Sequence, residues 1–341
     1  MKAMVIEKIA DVSKEEPLKQ LDIPIPEPSY GQILLHISAC GVCRTDLDEI
    51  EGRTPPPKFP VILGHQVIGT IVKANNVKNF KEGDRVGVGW IFHSCGKCSY
   101  CLKGEENLCD FFQATGRDVN GGYAEYMVAY SDFVYKIPDN FSDIEAAPLL
   151  CAGAIGWRSL RLTGIKNSYN VGLYGFGASG HIVIQIIKYL YPDSSVFVFT
   201  RSKDEQSLAH KLGAKWAGNI TDEPPELMDV SIDTTPAYLP VIQALKNLKK
   251  GGKLVINAIR KEPYDKDVLK NIEYEKHLWM EKEIKSVANV TRRDIAEFLQ
   301  IAKKIQIKPQ VHTYPLQKAN QALKDLKNGN IPGAKVLINN E

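Results

Sequence analysis

The chain has 341 residues, 44% of them hydrophobic and 24% charged, with a formal net charge of +3. At roughly 150 residues per domain, this length suggests about two domains, each with enough apolar material for a core. So mild a charge gives no reason to expect nucleic acid or an anionic membrane as partner, and no apolar run approaches the roughly 20 residues of a membrane span.

The N-terminus reaches Glu7 at once, which spoils a signal-peptide core, so the expected setting is cytoplasmic. Up to Cys151 the sequence offers short β-type runs at Gln32–Ile37, Val67–Lys73, Arg85–Trp90 and Tyr123–Val128. They are broken by turn clusters such as Thr54-Pro55-Pro56-Pro57 and Glu82-Gly83-Asp84, and read as an irregular, mainly β region. Beyond Cys151 the texture changes. Strands are predicted at Asn170–Tyr174, Ser195–Phe199, Val230–Asp233 and Lys253–Ala258, alternating with helices at His181–Leu190, Ser202–Leu212 and Leu239–Leu248. That alternation predicts an α/β fold with a doubly wound parallel sheet. A helix at Arg293–Lys304, another at Gln317–Leu326 and a strand at Lys335–Ile338 complete the chain.

Between the first strand and helix of the second region lies Gly175-Phe176-Gly177-Ala178-Ser179-Gly180, a G-x-G-x-x-G turn in the context that dinucleotide binding requires. The first glycine permits the tight turn, the second admits a pyrophosphate against the backbone, and the third lets helix pack on strand. About 20 residues on, where NAD-binding chains place an acid against the ribose 2′-hydroxyl, the next strand runs into Thr200-Arg201-Ser202. An arginine flanked by two hydroxyls suits a 2′-phosphate, so NADP(H) is expected in preference to NAD(H).

The seven cysteines are an odd number in a long chain, which argues against a secreted disulfide framework. Cys95, Cys98, Cys101 and Cys109 form C-x2-C-x2-C-x7-C, a spacing that suits a closed, tetrahedral, structural zinc site. Cys43, His65 and Cys151 are far apart in sequence, and spacing alone does not assemble them.

Taken in order, Gly41-Val42-Cys43-Arg44-Thr45-Asp46, Gly64-His65-Gln66-Val67-Ile68-Gly69, the four-cysteine stretch, Gly121-Gly122-Tyr123-Ala124-Glu125-Tyr126, Cys151-Ala152-Gly153 and the Gly175–Gly180 turn run nearly the whole chain. This series resembles the zinc-containing alcohol dehydrogenases of the medium-chain dehydrogenase/reductase superfamily. The resemblance implies a mainly β GroES-like catalytic domain over 1–152 and 290–341, with a Rossmann domain over 153–289. It implies a catalytic zinc held by Cys43, His65 and Cys151 with its fourth position open, and hence two zinc ions per chain. Hydride would pass between a small alcohol, or the matching aldehyde or ketone, and the nicotinamide cofactor. Thr45 would take the alcohol proton, Asp46 would orient His65 or serve as a helix-start acid, and Arg44 would touch the cofactor pyrophosphate. A homodimer or homotetramer is expected.

Two departures stand out. Gln66 follows the ligand histidine where many relatives have Glu, and Asp48 stands where some relatives extend the proton relay with His. Trp90, Ile91 and Phe92 are candidates for an apolar substrate pocket or simply for core. The competing readings are a zinc-free enoyl or quinone reductase on the same fold, and a non-enzymatic relative.

Overall fold

The computed structural model describes residues 1–329, 331 and 333–339. By their contacts these form two units: Met1–Cys151 with Val290–Lys303 and Lys308–Glu341, and Ala152–Asn289 with Lys304–Ile307.

The first unit is mainly β. Its strands are β1 (Lys2–Ile6), β2 (Leu18–Asp22), β3 (Gln32–Val42), β4 (Val61–Ile62), β5 (Val67–Ala74), β6 (Arg85–Val88), β7 (Ile91–His93), β8 (Gln113–Ala114), β9 (Tyr126–Tyr130) and β10 (Val134–Lys136). Its short helices are α1 (Arg44–Ile50), α2 (Ser99–Leu102) and α3 (Asp143–Ala146). The organising element is β3, eleven residues long and buried along most of its length. It pairs antiparallel with β5 and with β9. Ile33, Leu35 and Ile37 point from it into a core with Val67, Ile71, Val86 and Met127. The strand ends at Val42, so Cys43 sits where it turns into α1.

The second unit begins with α4 (Ala152–Thr163) and continues as β11 (Asn170–Tyr174), α5 (Gly180–Leu190), β12 (Ser195–Phe199), α6 (Lys203–Lys211), β13 (Trp216–Gly218), β14 (Met228–Asp233), α7 (Leu239–Lys246), β15 (Leu248–Ile256), α8 (Tyr274–His277) and β16 (Glu283–Ser286). Six strands pair in the order β13-β12-β11-β14-β15-β16, all parallel. All five residues of β11 and the last four of β12 are buried, as expected for strands covered on both faces. The fold class is the expected one, with a parallel α/β sheet in one unit and a mainly β arrangement in the other.

The sequence reading leaves α4 unassigned, because Gly153 and Gly156 each cost about 1 kcal/mol of helix propensity. Packing explains one of them: a Cβ on Gly156 would stand 2.7 Å from Val183 Cγ2 on α5. The chain is back in the first unit from Val290 for most of α9 (Arg292–Ile305), and that unit continues from Lys308 with β17 (Val311–Pro315), α10 (Ala319–Asn328) and β18 (Ala334–Ile338). β18 lies antiparallel to β3, with Leu337 opposite Cys40 and Lys335 opposite Val42. The α10 helix begins two residues later than the Gln317–Leu326 prediction, since Leu316–Lys318 form a 3-10 turn.

No helix of the described residues is long and apolar enough to cross a membrane.

The segment before β5 is held by close backbone packing. The Gly121 N–H donates to Ile62 O at 2.7 Å and the Gly122 N–H to Gly64 O at 2.9 Å. A Cβ on Gly121 would fall 2.1 Å from Gly64 O and 2.7 Å from Leu63 O, both backbone atoms that cannot swing aside. Gly121→Ala is therefore expected to destabilise the first unit by about 2 kcal/mol or more, read as a lower denaturant midpoint. An unchanged midpoint would show that this backbone is free to shift.

Candidate active site and cofactor loop

Asp46 has two tasks, one for each carboxylate oxygen. Oδ2 accepts the Cys43 N–H at 2.7 Å and fixes the first turn of α1. Oδ1 faces His65 Nδ1 at 3.3 Å, and both side chains are fully buried. Asp46 thus stands both at the start of the helix and against the His65 ring. His65 follows Gly64, whose φ of +95° lets the chain turn sharply there. With Nδ1 turned to Asp46, Nε2 points to Cys43 Sγ, 3.2 Å away.

Cys151 completes the group. One ligand atom from each of Cys43, His65 and Cys151 lies within 4.8 Å of the others. A cation shared by a thiolate and an imidazole places S and N about 3.5 Å apart, so the donor set and its spacing fit zinc. The hydrogen bond with Cys151 draws the Cys43 thiol down to about 5 against the effect of burial. Its thiolate, the form that binds metal, is thus favoured. Burial and the charge of Asp46 push the Tyr123 phenol well up; its hydroxyl is near Asp46 without a hydrogen bond of good geometry.

Thr45 is half-buried on the first turn of α1 and Arg44 is exposed beside it. Asp48, the candidate for an onward relay, is bound by the Arg53 guanidinium, which also holds Glu51. Lys327 of α10 ties Glu51 in turn to Asp11, at 2.6 and 2.7 Å. Gln66 is buried with its amide packed against Gly41, where a Cβ would meet it at 2.9 Å. His93 is surrounded by aromatic rings, 4.8 Å from Tyr130 and 6.3 Å from Phe133, and plays no part in either cysteine group.

Cys95, Cys98, Cys101 and Cys109 also bring their sulfurs within 4.8 Å of one another. The 3.9 Å between Cys95 Sγ and Cys101 Sγ is close to the roughly 3.8 Å edge of a Zn–S tetrahedron and far from a disulfide. The Lys97 and Cys98 amide N–H groups hold the Cys95 thiol down to about 6. Glu106, buried just after α2, accepts the Arg292 N–H at 2.7 Å and its Nε at 3.2 Å. This tie between the cysteine lobe and the start of α9 spans 186 residues and has no signal in the sequence pattern.

In the second unit the three glycines of the turn have different surroundings. Gly175 has φ +87°, and a Cβ there would strike Thr234 Oγ1 at 2.6 Å. A Cβ on Gly180 would lie 2.8 Å from Gly175 O. Gly177 is exposed with nothing within 4 Å of its Cβ position, which is the open approach a pyrophosphate needs. Of the remaining residues of the turn, Phe176 is buried and Ala178 and Ser179 are half-buried. His181 Nδ1 lies 2.9 Å from Gly177 O and steadies the turn.

At the end of β12, Arg201 and Ser202 are exposed, and Arg201 has no carboxylate partner among the described residues. Ser202 caps α6 by accepting the Glu205 N–H. The Thr200 hydroxyl donates to the Glu205 carboxylate, so an acid five residues along the chain reaches the strand end after all. It was missed because only the helix start turns it back.

Residues 29–139 match the alcohol dehydrogenase GroES-like domain family. A probable alcohol dehydrogenase, AdhA, of Mycobacterium tuberculosis (strain CDC 1551 / Oshkosh) is 39% identical over 328 residues, covering 94% of this chain and 93% of its own length. An alcohol dehydrogenase of Geobacillus stearothermophilus is 35% identical, with 99% of each chain covered. The chain belongs to the zinc-type medium-chain alcohol dehydrogenase family. It is an oxidoreductase acting on alcohols, with a small-molecule substrate, and the zinc-free reductase reading is not favoured. A crystal structure of an NAD-dependent alcohol dehydrogenase shares the fold at a TM-score of 0.90 and 24% identity, with 100% of both chains covered.

Beside the glycine turn, Lys261 donates to the buried Asp233 and, at 2.7 Å, to Thr235 O. Asp233 in turn accepts the Thr235 N–H and Oγ1–H at 2.9 and 2.7 Å, which fixes the 233–235 turn against Gly175. Burial raises the Asp233 carboxyl while Lys261 holds it down. Lys261→Met is expected to cost about 3–5 kcal/mol at pH 8, because it leaves a buried charge unpaired. An acid whose folded pKa lies above its unfolded value is least favourable at high pH. The deficit should therefore narrow as pH falls and Asp233 takes up a proton. Unfolding curves at several pH values test this, and a deficit independent of pH would remove the charge argument.

Proposed function

We propose that this family member binds two zinc ions, one in each cysteine-containing group, and oxidises small alcohols with NADP(H) preferred over NAD(H). The observation that carries the reading is the contrast between the two ligand sets. Four cysteines complete a tetrahedron and leave no position for substrate, whereas Cys43, His65 and Cys151 supply three ligands and leave one. When bound, the zinc acts as a Lewis acid on the alcohol or carbonyl oxygen, and the nicotinamide accepts or returns the hydride. The chain's own residues do the rest. Asp46 keeps the His65 ring turned so that Nε2 faces the metal position. Thr45, on the same first turn, is assigned the alcohol proton. Asp48 is committed to Arg53, and so serves to hold the end of α1 in place.

The NADP(H) preference rests on Arg201, exposed beside Ser202, as the partner of a 2′-phosphate. The Glu205 carboxylate works against it, and its hydrogen bond to Thr200 keeps that charge at the strand end. A homo-oligomer fits two exposed apolar surfaces. One is the sheet edge at β16, all four residues of which are exposed, with Trp279 at 52% and Ile284 at 48%. The other is the cysteine lobe, with Leu102 at 76% and Phe111 at 73%. Two thiolate metal sites fit a reducing, cytoplasmic setting.

Elemental analysis of protein purified without chelator should give about two zinc ions per chain. Cys98→Ser should lose one ion together with stability, and Cys43→Ser should lose one ion together with turnover while the fold is kept. A wild-type content near one would leave one of the two sites without metal.

For the cofactor, wild type should show the higher kcat/KM with NADP(H). Arg201→Ala should lower that value about 10- to 100-fold, the loss of a charge-assisted contact of roughly 1.5–3 kcal/mol, and leave NAD(H) nearly unchanged. Glu205→Gln should shift the ratio further towards NADP(H). Equal losses for both cofactors in Arg201→Ala would sink the assignment.

A further inference from the structure

Glu49 lies on α1, three residues beyond Asp46 and so on the same side of the helix. It is fully buried. Neither carboxylate oxygen has a hydrogen-bond partner among the described residues. Such a group is costly to bury, and nothing in the fold of α1 needs it there. Its surroundings are unusual as well. The charges of Asp46, His65 and Cys43 all act on it, and the Trp90 indole N–H is beside it, itself without a partner of good geometry. Burial, and after it the negative charge of Asp46, push the Glu49 carboxyl well above the ordinary carboxylate range. A cation in this neighbourhood reverses that balance, because its attraction acts on the carboxylate through a medium of low dielectric.

We propose that Glu49 is a buried counter-charge to the metal of the Cys43, His65 and Cys151 group, and that retention of the metal depends on it. The inference rests on the reading that these three residues hold zinc. It makes Glu49 a positioning residue for the metal, distinct from Asp46. Asp46 acts through the His65 ring, whereas Glu49 touches no ligand by hydrogen bond and acts by charge alone. Linkage then gives it two effects of opposite sign. With the metal present the carboxylate strengthens binding, and with the metal absent it weakens the fold.

The test follows zinc transfer from the purified protein to a chromophoric chelator. The kinetic phase from the three-ligand group is the one that Cys43→Ser abolishes, and the lobe zinc serves as an internal control. Glu49→Gln, which keeps the shape and removes the charge, and Glu49→Leu, which removes the polar group altogether, should each speed that phase roughly 10- to 100-fold and leave the lobe phase unchanged. In the Cys43→Ser background, where the carboxylate has lost its cation, adding Glu49→Leu should raise the melting temperature. If Cys43→Ser removes one ion but release is the same in wild type, Glu49→Gln and Glu49→Leu, the counter-charge is overturned and the zinc reading stands. If Cys43→Ser removes no ion, the three-ligand reading fails and the proposal fails with it.

Discussion

The site depends on how Asp46 is divided between backbone and side chain. One oxygen starts α1 by holding the Cys43 amide, and the other faces the ring that presents His65 Nε2 to the Cys43 thiol. The position of Cys43 and the orientation of the His65 ring are therefore set by a single carboxylate. This works because β3 is rigid: it is buried and paired on both sides, so Cys43 leaves it at a fixed point. The opposite flank is equally constrained, since Gly121 and Gly122 press the 62–64 backbone into place just ahead of His65.

The chemistry of the two cysteine groups follows from their settings. In the lobe, amide N–H groups steady the Cys95 thiolate at an otherwise open surface. In the group of Cys43, His65 and Cys151, the thiol of Cys151 and the His65 ring do this work for Cys43 in a partly enclosed place, against burial and the charge of Asp46. The first arrangement builds a local staple in a stretch with little core of its own. In the second, His65 and the carboxylate of Asp46 are fully buried, so the charges there act on one another through little water.

Much of this was legible in the sequence, and the limits have physical causes. The strand-and-helix alternation after Cys151 was plain, because β11 and β12 are continuous apolar runs and the glycine turn has a fixed spacing. The four-cysteine lobe was legible for the same reason, its cysteines being close along the chain. Cys43, His65 and Cys151 come together only through the pairing of β3 with distant strands, and without the resemblance nothing in their spacing announces it. The α4 helix was obscured by its two glycines, of which Gly156 serves packing against α5. Glu205 and Glu49 were obscured because an acid on a helix reads as solvated surface. Only the turn of α6 towards Thr200, and the burial of α1, show otherwise.

The way the chain is divided between its units also bears on how it folds as it is made. The second unit is almost continuous in sequence, from Ala152 to Asn289, and its sheet is complete once β16 exists. The first unit lacks an element until β18 is made. β18 must pair with β3 across some 300 residues, and Glu106 in the lobe has no Arg292 to receive until α9 emerges, 186 residues later. A nascent chain halted before residue 290 would carry a finished parallel sheet and an open-edged β unit, with the β3 edge exposed to the wrong partners. Emergence of β18 closes that edge, so the unit whose translation starts first is the one that finishes folding last.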